Sequence, residues 1–261
     1  MNRLHLTFPC EGAALAGTLD MAAATGTTGL LILSGGNEIR AGAWAGQAQL
    51  AARLARHGVP VFRFDRRGVG DSEGANGGFR SSRDDLAAAL AAFRKAAPQV
   101  RRVVAFGNCD AAAALLLHHA GLGIDALVLA NPWTIDGEEA PAAMPATAIR
   151  QRYLAKLKNP REVLRLLTGG VNLAKLFRGL RSAAAPAAAP SSLVDALRAG
   201  ADAFAGPLTI LIASGDRTAQ LFEAAWPKDD ARVQRIASAS HSFSDDAARE
   251  WLFARLLDVL D

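Results

Sequence analysis

Cysteine is scarce in this chain of 261 residues, which has only Cys10 and Cys109. A disulfide framework is therefore not what holds it together, and in a reducing compartment two free thiols are expected. Cysteine and histidine nowhere recur at metal-ligand spacing, so no metal and no other cofactor are expected. Long apolar runs are missing too: none reaches the roughly 18 residues that would suggest a membrane span. The opening stretch, "MNRLHLTFPCEG", alternates apolar and polar residues as a strand does and lacks the apolar region of a signal peptide. A soluble, cytoplasmic protein is the expectation, with no transmembrane segment. An excess of one charge is also lacking, since a formal net charge of +4 is modest for this length and does not argue for nucleic acid.

What is there is ample apolar material, 51% of the residues, in a chain long enough for one large domain or one domain with an insertion. "LHLTF" and "AALAGTLD" read as an antiparallel entry hairpin. After them the apolar runs "TGLLILSGG", "VPVFRFD", "RRVVAFG", "IDALVLANP", "PLTILIASGD" and "ARVQRIAS" alternate with helical patterns near residues 43–57, 79–97, 109–121, 218–225 and 243–260. Several runs lack polar alternation, as strands buried on both faces do. Strand and helix taking turns imply a mostly parallel sheet with right-handed crossovers.

One interval breaks the rhythm. Between the strand ending near Asn131–Pro132 and the one beginning near Pro207, about 75 residues read as helix and loop, far beyond an ordinary connection. Its basic stretch carries Arg150, Arg152, Lys156, Lys158, Arg161, Arg165, Lys175, Arg178 and Arg181 against the acid Glu162, and "AAAPAAAPSS" follows as a tether.

The segment "VVAFGNCDAAAALLLHH" runs a strand through Gly107-Asn108-Cys109-Asp110-Ala111 into a helix. A nucleophile at such a junction needs small neighbours, which Gly107 and Ala111 supply, and the helix aims its first N–H groups and positive dipole end at it. That dipole favours the thiolate, the reactive form of a cysteine, whereas the charge of Asp110 opposes it. Taken alone, a cysteine in such a turn is more often inert packing than a nucleophile. The rest of the chain supplies partners in order: Asp216 ends "LTILIASGD" and His241 follows "ARVQRIASAS", each beyond the C-terminal end of a strand, where sites in open parallel sheets collect. Asp216 could equally cap the next turn and His241 could be a surface residue before the last helix. "SGGNEIRAG" offers a glycine-rich turn whose backbone N–H at Asn37 would join that of Asp110 as an oxyanion hole; Gly35 and Gly36 could instead serve only as a permissive turn.

These features resemble the α/β-hydrolase superfamily over nearly the whole length, with cysteine in place of serine in the G-x-S-x-G elbow. "GGNEIRAG", "RFDRRGVGDSEG", "FGNCDAAAA", "LVLANPW" and "ASHSFS" together are similar to the exosortase A system-associated hydrolases of the first type, bacterial proteins found with exopolysaccharide and protein-sorting genes. The resemblance implies an α/β fold with a mostly parallel eight-stranded sheet, in which residues 1–132 and 207–261 form the core and 133–206 a helical cap inserted after the sixth strand. It implies that the glycines and Ser72 of residues 62–74 shape the floor of the site. The elbow ends in Ala111 where the superfamily has glycine, and the oxyanion turn begins Gly35-Gly36 where many relatives have His-Gly.

The expected chemistry is hydrolysis of an ester, thioester or lactone, with His241, oriented by Asp216, deprotonating Cys109, and the N–H groups of Asn37 and Asp110 holding the oxyanion. Gly36, Trp133, Arg161 and Arg165 are candidate substrate contacts. The substrate is a small-molecule or carrier-linked acyl compound. Acyl transfer through the same triad is the nearest rival, and a binding protein that has lost efficient catalysis stays open. The basic face of the insertion has a plain reading as a solvated helix surface and a functional one as an attractor of anionic substrate, carrier or acidic membrane surface. Nucleic-acid binding is disfavoured, because that stretch offers only Tyr153 and Phe177 for stacking. The oligomeric state is left open.

Overall fold

The computed structural model describes residues 1–136 and 192–261. The entry hairpin is present: β1 (Asn2–Cys10) pairs antiparallel with β2 (Ala13–Met21), across a tight turn in which Glu11 and Gly12 both have positive φ. Then follow β3 (Thr28–Leu33), α1 (Gly46–Arg56), β4 (Val61–Phe64), α2 (Arg83–Ala96), β5 (Arg102–Asn108), α3 (Asp110–His118) and β6 (Ala126–Ala130). Beyond the undescribed interval come α4 (Ser192–Ala203), β7 (Leu208–Ala213), α5 (Arg217–Ala225), β8 (Val233–Ile236) and α6 (Asp246–Leu260).

The eight strands form one sheet in the order β1-β2-β4-β3-β5-β6-β7-β8, antiparallel from β1 to β4 and parallel from there on. The apolar runs without alternation are its middle strands; every residue of β4 and of β6 is buried. Helices cover both faces. Ala51 and Leu54 of α1 share a core with Ala248, Leu252 and Leu256 of α6 on one face. Leu86 and Leu90 of α2, the Ala111–Leu116 run of α3, Leu193 and Leu197 of α4, and Phe222 of α5 share the core on the other.

The interval 133–206 divides. Its C-terminal helix, α4, packs on α3 so tightly that a Cβ at Gly200 would lie 2.1 Å from the Leu116 carbonyl oxygen, and it serves as the last part of the β6–β7 crossover. The described end of the expected cap is thus part of the core. Arg161 and Arg165 and the rest of the basic stretch lie outside the described residues.

The parallel strands β3, β4, β5, β6, β7 and β8 all end at one edge of the sheet, and the chain order reverses on either side of β3. That edge collects Gly35–Gly36 after β3, Asp65–Arg66 after β4, Cys109 after β5, Asn131 after β6, Asp216 after β7 and His241 after β8. The β5–α3 junction is the tightest of these turns. A Cβ at Gly107 would lie 2.7 Å from the Ala111 carbonyl carbon and 2.9 Å from the Ala112 nitrogen, both backbone atoms that cannot swing aside. Gly107→Ala is therefore expected to destabilise the protein by about 1–3 kcal/mol through overpacking, read as a lowered midpoint in urea unfolding; an unchanged midpoint would show that α3 can move away from the strand.

Candidate active site

Cys109 links β5 to α3 with φ 62° and ψ −124°, a conformation L-residues avoid. The surroundings enforce it: its N–H donates to the Ala130 carbonyl (2.9 Å), and its own carbonyl accepts from Ala112 (3.1 Å), Ala113 (3.3 Å) and Trp133 (3.1 Å) N–H groups. The side chain is half-buried. Asp110 is the first residue of α3, and a helix leaves its first N–H groups without internal acceptors, so they face the Cys109 side of the turn.

The imidazole of His241 stands against Cys109 and Asp216. Its Nδ1 is 2.9 Å from Asp216 Oδ2, and Cys109 stands close enough to influence its protonation as well. Asp216 also caps a helix, because the same Oδ2 accepts the Ala219 N–H (3.0 Å) as the N-cap of α5. A carboxylate used as a cap cannot rotate freely, so the cap also fixes the direction of the bond to His241. The His241 pKa is pushed up to about 10, first by the Asp216 hydrogen bond and next by Cys109, against the opposing effect of burial. Cys10, the other thiol, is buried beside Asp85, and burial first and Asp85 second push it up to about 11.

The loop carrying His241 is anchored from beneath by two residues that the sequence reading did not single out. Asn108 Nδ2 (3.1 Å) and Asn131 Nδ2 (3.0 Å) both donate to the His241 backbone carbonyl. Asn131 is fully buried, adopts φ 41° and accepts the Ala213 N–H (2.9 Å) through Oδ1, tying β6 to the end of β7. An asparagine ending a wholly apolar strand at the functional edge was the available signal.

The glycine-rich turn lies beside the elbow: a Cβ at Gly35 would be 3.6 Å from Cys109 Cβ and 2.7 Å from the Asn108 carbonyl oxygen. Gly36, a candidate substrate contact, has both backbone polar atoms engaged. Its N–H donates to Asp110 Oδ1 (2.5 Å) and its carbonyl accepts from Arg66 (2.5 Å). Arg66 also lies 3.4 Å from Asp110 Oδ2, and both side chains are largely buried. The Asp110 charge, expected to oppose a thiolate, thus has a cation beside it and braces the turn that bears Asn37. The side chain of Asn37 accepts from Asn76 Nδ2 (2.8 Å). Trp133 holds the elbow through its N–H and donates its ring N–H to the Ile135 carbonyl (2.9 Å). Ser72 bonds the Asp65 carbonyl (2.7 Å) and accepts the Ala16 N–H (2.9 Å), so it fastens the floor loop to β2.

A family model described as the alpha/beta hydrolase family matches residues 30–255. Among solved structures, the chain is similar to the Pyrococcus furiosus esterase Pf2001 at 17% identity and TM-score 0.61, covering 99% of this chain and 89% of that one. The alpha/beta hydrolase GrgF from Penicillium sp. sh18 is similar at 18% identity and TM-score 0.63, covering 100% and 98%. A thioesterase domain from the curacin biosynthetic pathway is similar at 16% identity and TM-score 0.57, covering 98% and 100%. These likenesses are of fold. No curated protein matches the chain.

The double anchor of the His241 carbonyl predicts unequal effects. Asn131→Ala strands the Ala213 N–H, removes a bond to His241 and leaves alanine at positive φ, so it should cost about 1–3 kcal/mol or more of stability. Asn108→Ala leaves Asn131 holding the same carbonyl and should cost less. Chemical denaturation of the two variants checks this; equal losses would mean that the anchors are not shared in this way.

Proposed function

The chain belongs to the alpha/beta hydrolase family, and we propose that within it the protein cleaves esters or thioesters through a Cys109–His241–Asp216 triad and a thioester acyl-enzyme. The observation that carries this reading is the imidazole bonded to a carboxylate that a helix cap fixes, with Cys109 beside the ring. In the resting pair the proton sits on His241, the sulfur attacks the acyl carbonyl as the thiolate, and the leaving group departs with the proton held on His241. Water then attacks the thioester, giving one proton to His241, which passes it to the sulfur as the acid leaves. The N–H groups of Asp110 and Asn37 hold the oxyanion, with the turn bearing Asn37 braced by Asp110 and Arg66.

The solved structures it resembles include an esterase and a thioesterase domain, which supports an acyl substrate. The similarity of "FGNCDAAAA" and its companion motifs to the exosortase A system-associated hydrolases supports a role beside exopolysaccharide and protein-sorting genes. No helix among the described residues is long and apolar enough to cross a membrane, and a soluble cytoplasmic enzyme acting on small or carrier-linked acyl compounds fits this reading. Arg161 and Arg165 would attract an anionic or carrier-linked substrate from the cap.

The difference between the two thiols supplies the test. Near neutral pH, iodoacetamide should modify Cys109, leave Cys10 untouched and abolish turnover; His241→Ala should slow the alkylation. Full activity after alkylation of Cys109, or in Cys109→Ala, would end the assignment. Asp216→Asn keeps the cap on Ala219 but removes the carboxylate that orients the ring, and turnover should fall about a hundredfold or more.

The pH dependence has a definite sign. Because His241 holds its proton up to about 10, and that proton is needed by the leaving group, the alkaline limb of the rate profile should lie near that value. Asp216→Asn, removing the first cause of the rise, should move the limb toward neutral pH. A limb that stays in place would assign it to another group.

A further inference from the structure

A cavity of about 590 Å³ lies between α1 and α6, on the opposite face of the sheet from α3. Its size is that of a small-molecule site. One part of its wall is aromatic and aliphatic, with Leu50, Phe106, Phe243, Leu252 and Phe253, and Trp44 at the rim, and the rest is polar. It reaches the reactive edge, since Asn108 and Ser242, the neighbours of Cys109 and His241 in the chain, also line it. Trp44 is 83% exposed and, with Ala45, is held at positive φ, a strained turn that presents an indole to solvent at the mouth.

The lining carries two arginines, Arg53 and Arg249, and two glutamates, Glu38 and Glu250. Arg53 and Glu250 form a two-bond ion pair (2.6 Å each), with the guanidinium 3.6 Å from the centre of the Phe253 ring. Arg249 pairs with Asp246. Glu38 also lines the cavity, yet has no ion-pair partner among the described residues. It is half-buried, and burial holds its pKa above the ordinary glutamate value. Asp110 pushes in the same direction, while His241 close by pulls it down. A carboxylate without an ion-pair partner, beside an aromatic and aliphatic wall at the reactive edge, suits a cation with an apolar body.

On the reading of Cys109 as the acyl carrier, we propose that this cavity is an acceptor site for an apolar primary amine, whose ammonium is held by Glu38 and whose aromatic or alkyl body lies between α1 and α6. Glu38 takes one proton from the ammonium. The freed amine attacks the thioester carbonyl, a C–N bond forms and the C–S bond breaks. The second amine proton reaches the departing sulfur through His241, and the first leaves Glu38 for solvent. The products are an amide and the free thiol, with no oxidant or further reactant. A thioester suits this partition, because it transfers its acyl group to amines readily.

Two measurements on the full chain test the proposal. In the first, titration calorimetry on Cys109→Ala compares phenethylamine with its neutral counterpart, phenethyl alcohol. The ammonium should bind about tenfold tighter, and adding Glu38→Gln should bring the two within about twofold. Equal binding in the parent protein, or a preference that survives Glu38→Gln, overturns the assignment. In the second, the wild-type protein turns over an acyl thioester with increasing phenethylamine, and mass spectrometry gives the ratio of amide to acid. That ratio should rise and saturate, with Glu38→Gln raising the half-saturating amine concentration about tenfold. A ratio that rises only linearly, does not rise, or is unchanged by Glu38→Gln overturns the acceptor role while leaving hydrolysis by Cys109 intact. Absence of both products and of any acylated Cys109 overturns both readings.

Discussion

The arrangement depends on one steric constraint, the turn at Cys109. A strand deep in the sheet must become a helix within two residues, and it does so with Cys109 at φ 62° and Gly107 pressed against the Ala111 backbone. The strain is held by bonds from three directions: Ala130 accepts from the turn, the first turn of α3 donates to it, and Trp133 closes it from the loop after β6. A side chain set there must point out of the sheet edge, because the chain occupies every other direction. The left-handed conformation is thus a cost of about 1–3 kcal/mol carried by the surrounding bonds, and in return it exposes one sulfur beside a helix N-terminus.

Around that turn several groups each hold two parts of the structure at once. Asp216 caps α5 and orients His241 with one oxygen. Asp110 begins α3 and braces the Gly35–Gly36 turn, with Arg66 offsetting its charge. Asn131 joins β6 to β7 and supports the His241 carbonyl. The loop beyond Gly36 is held by a buried ionic network. Asp65 accepts from the Arg40 N–H (2.5 Å) and pairs with its guanidinium, while Arg63, paired with Asp20 (2.9 Å), donates to the Arg40 carbonyl (2.5 Å). Breaking one partner of such a network leaves an uncompensated charge in the interior, so this loop is held by polar bonds where the strands are held by apolar burial.

The parts of the fold that could be read from the chain are those written in local pattern. The unbroken apolar runs became the middle strands, and "PCEGAA" folded as the entry turn. Cys109, Asp216 and His241 were legible because each follows the end of a strand, and topology brings those ends to one edge. The roles of Asn131 and Arg66 were not, since each depends on side-chain contacts between segments far apart in sequence: Asn131 bonds residues 82 and 110 positions away, and Arg66 reaches one 44 away. The cavity beside Glu38 was invisible for the same reason, being walled by helices from opposite ends of the chain. The core packing of α4 was not legible, because this alanine-rich helix follows an alanine–proline tract, and composition alone does not separate a tether from the helix after it.

The account rests on the Cys109 sulfur carrying the acyl group. The most direct measurement is the intact mass of the protein quenched in acid during turnover of an acyl thioester, followed by peptide mapping. The account predicts one acyl group per chain, on Cys109, released by hydroxylamine and absent from Cys109→Ala. Turnover with the acyl group on another residue, or with no acyl-protein at any time while Cys109→Ala keeps its rate, would contradict it.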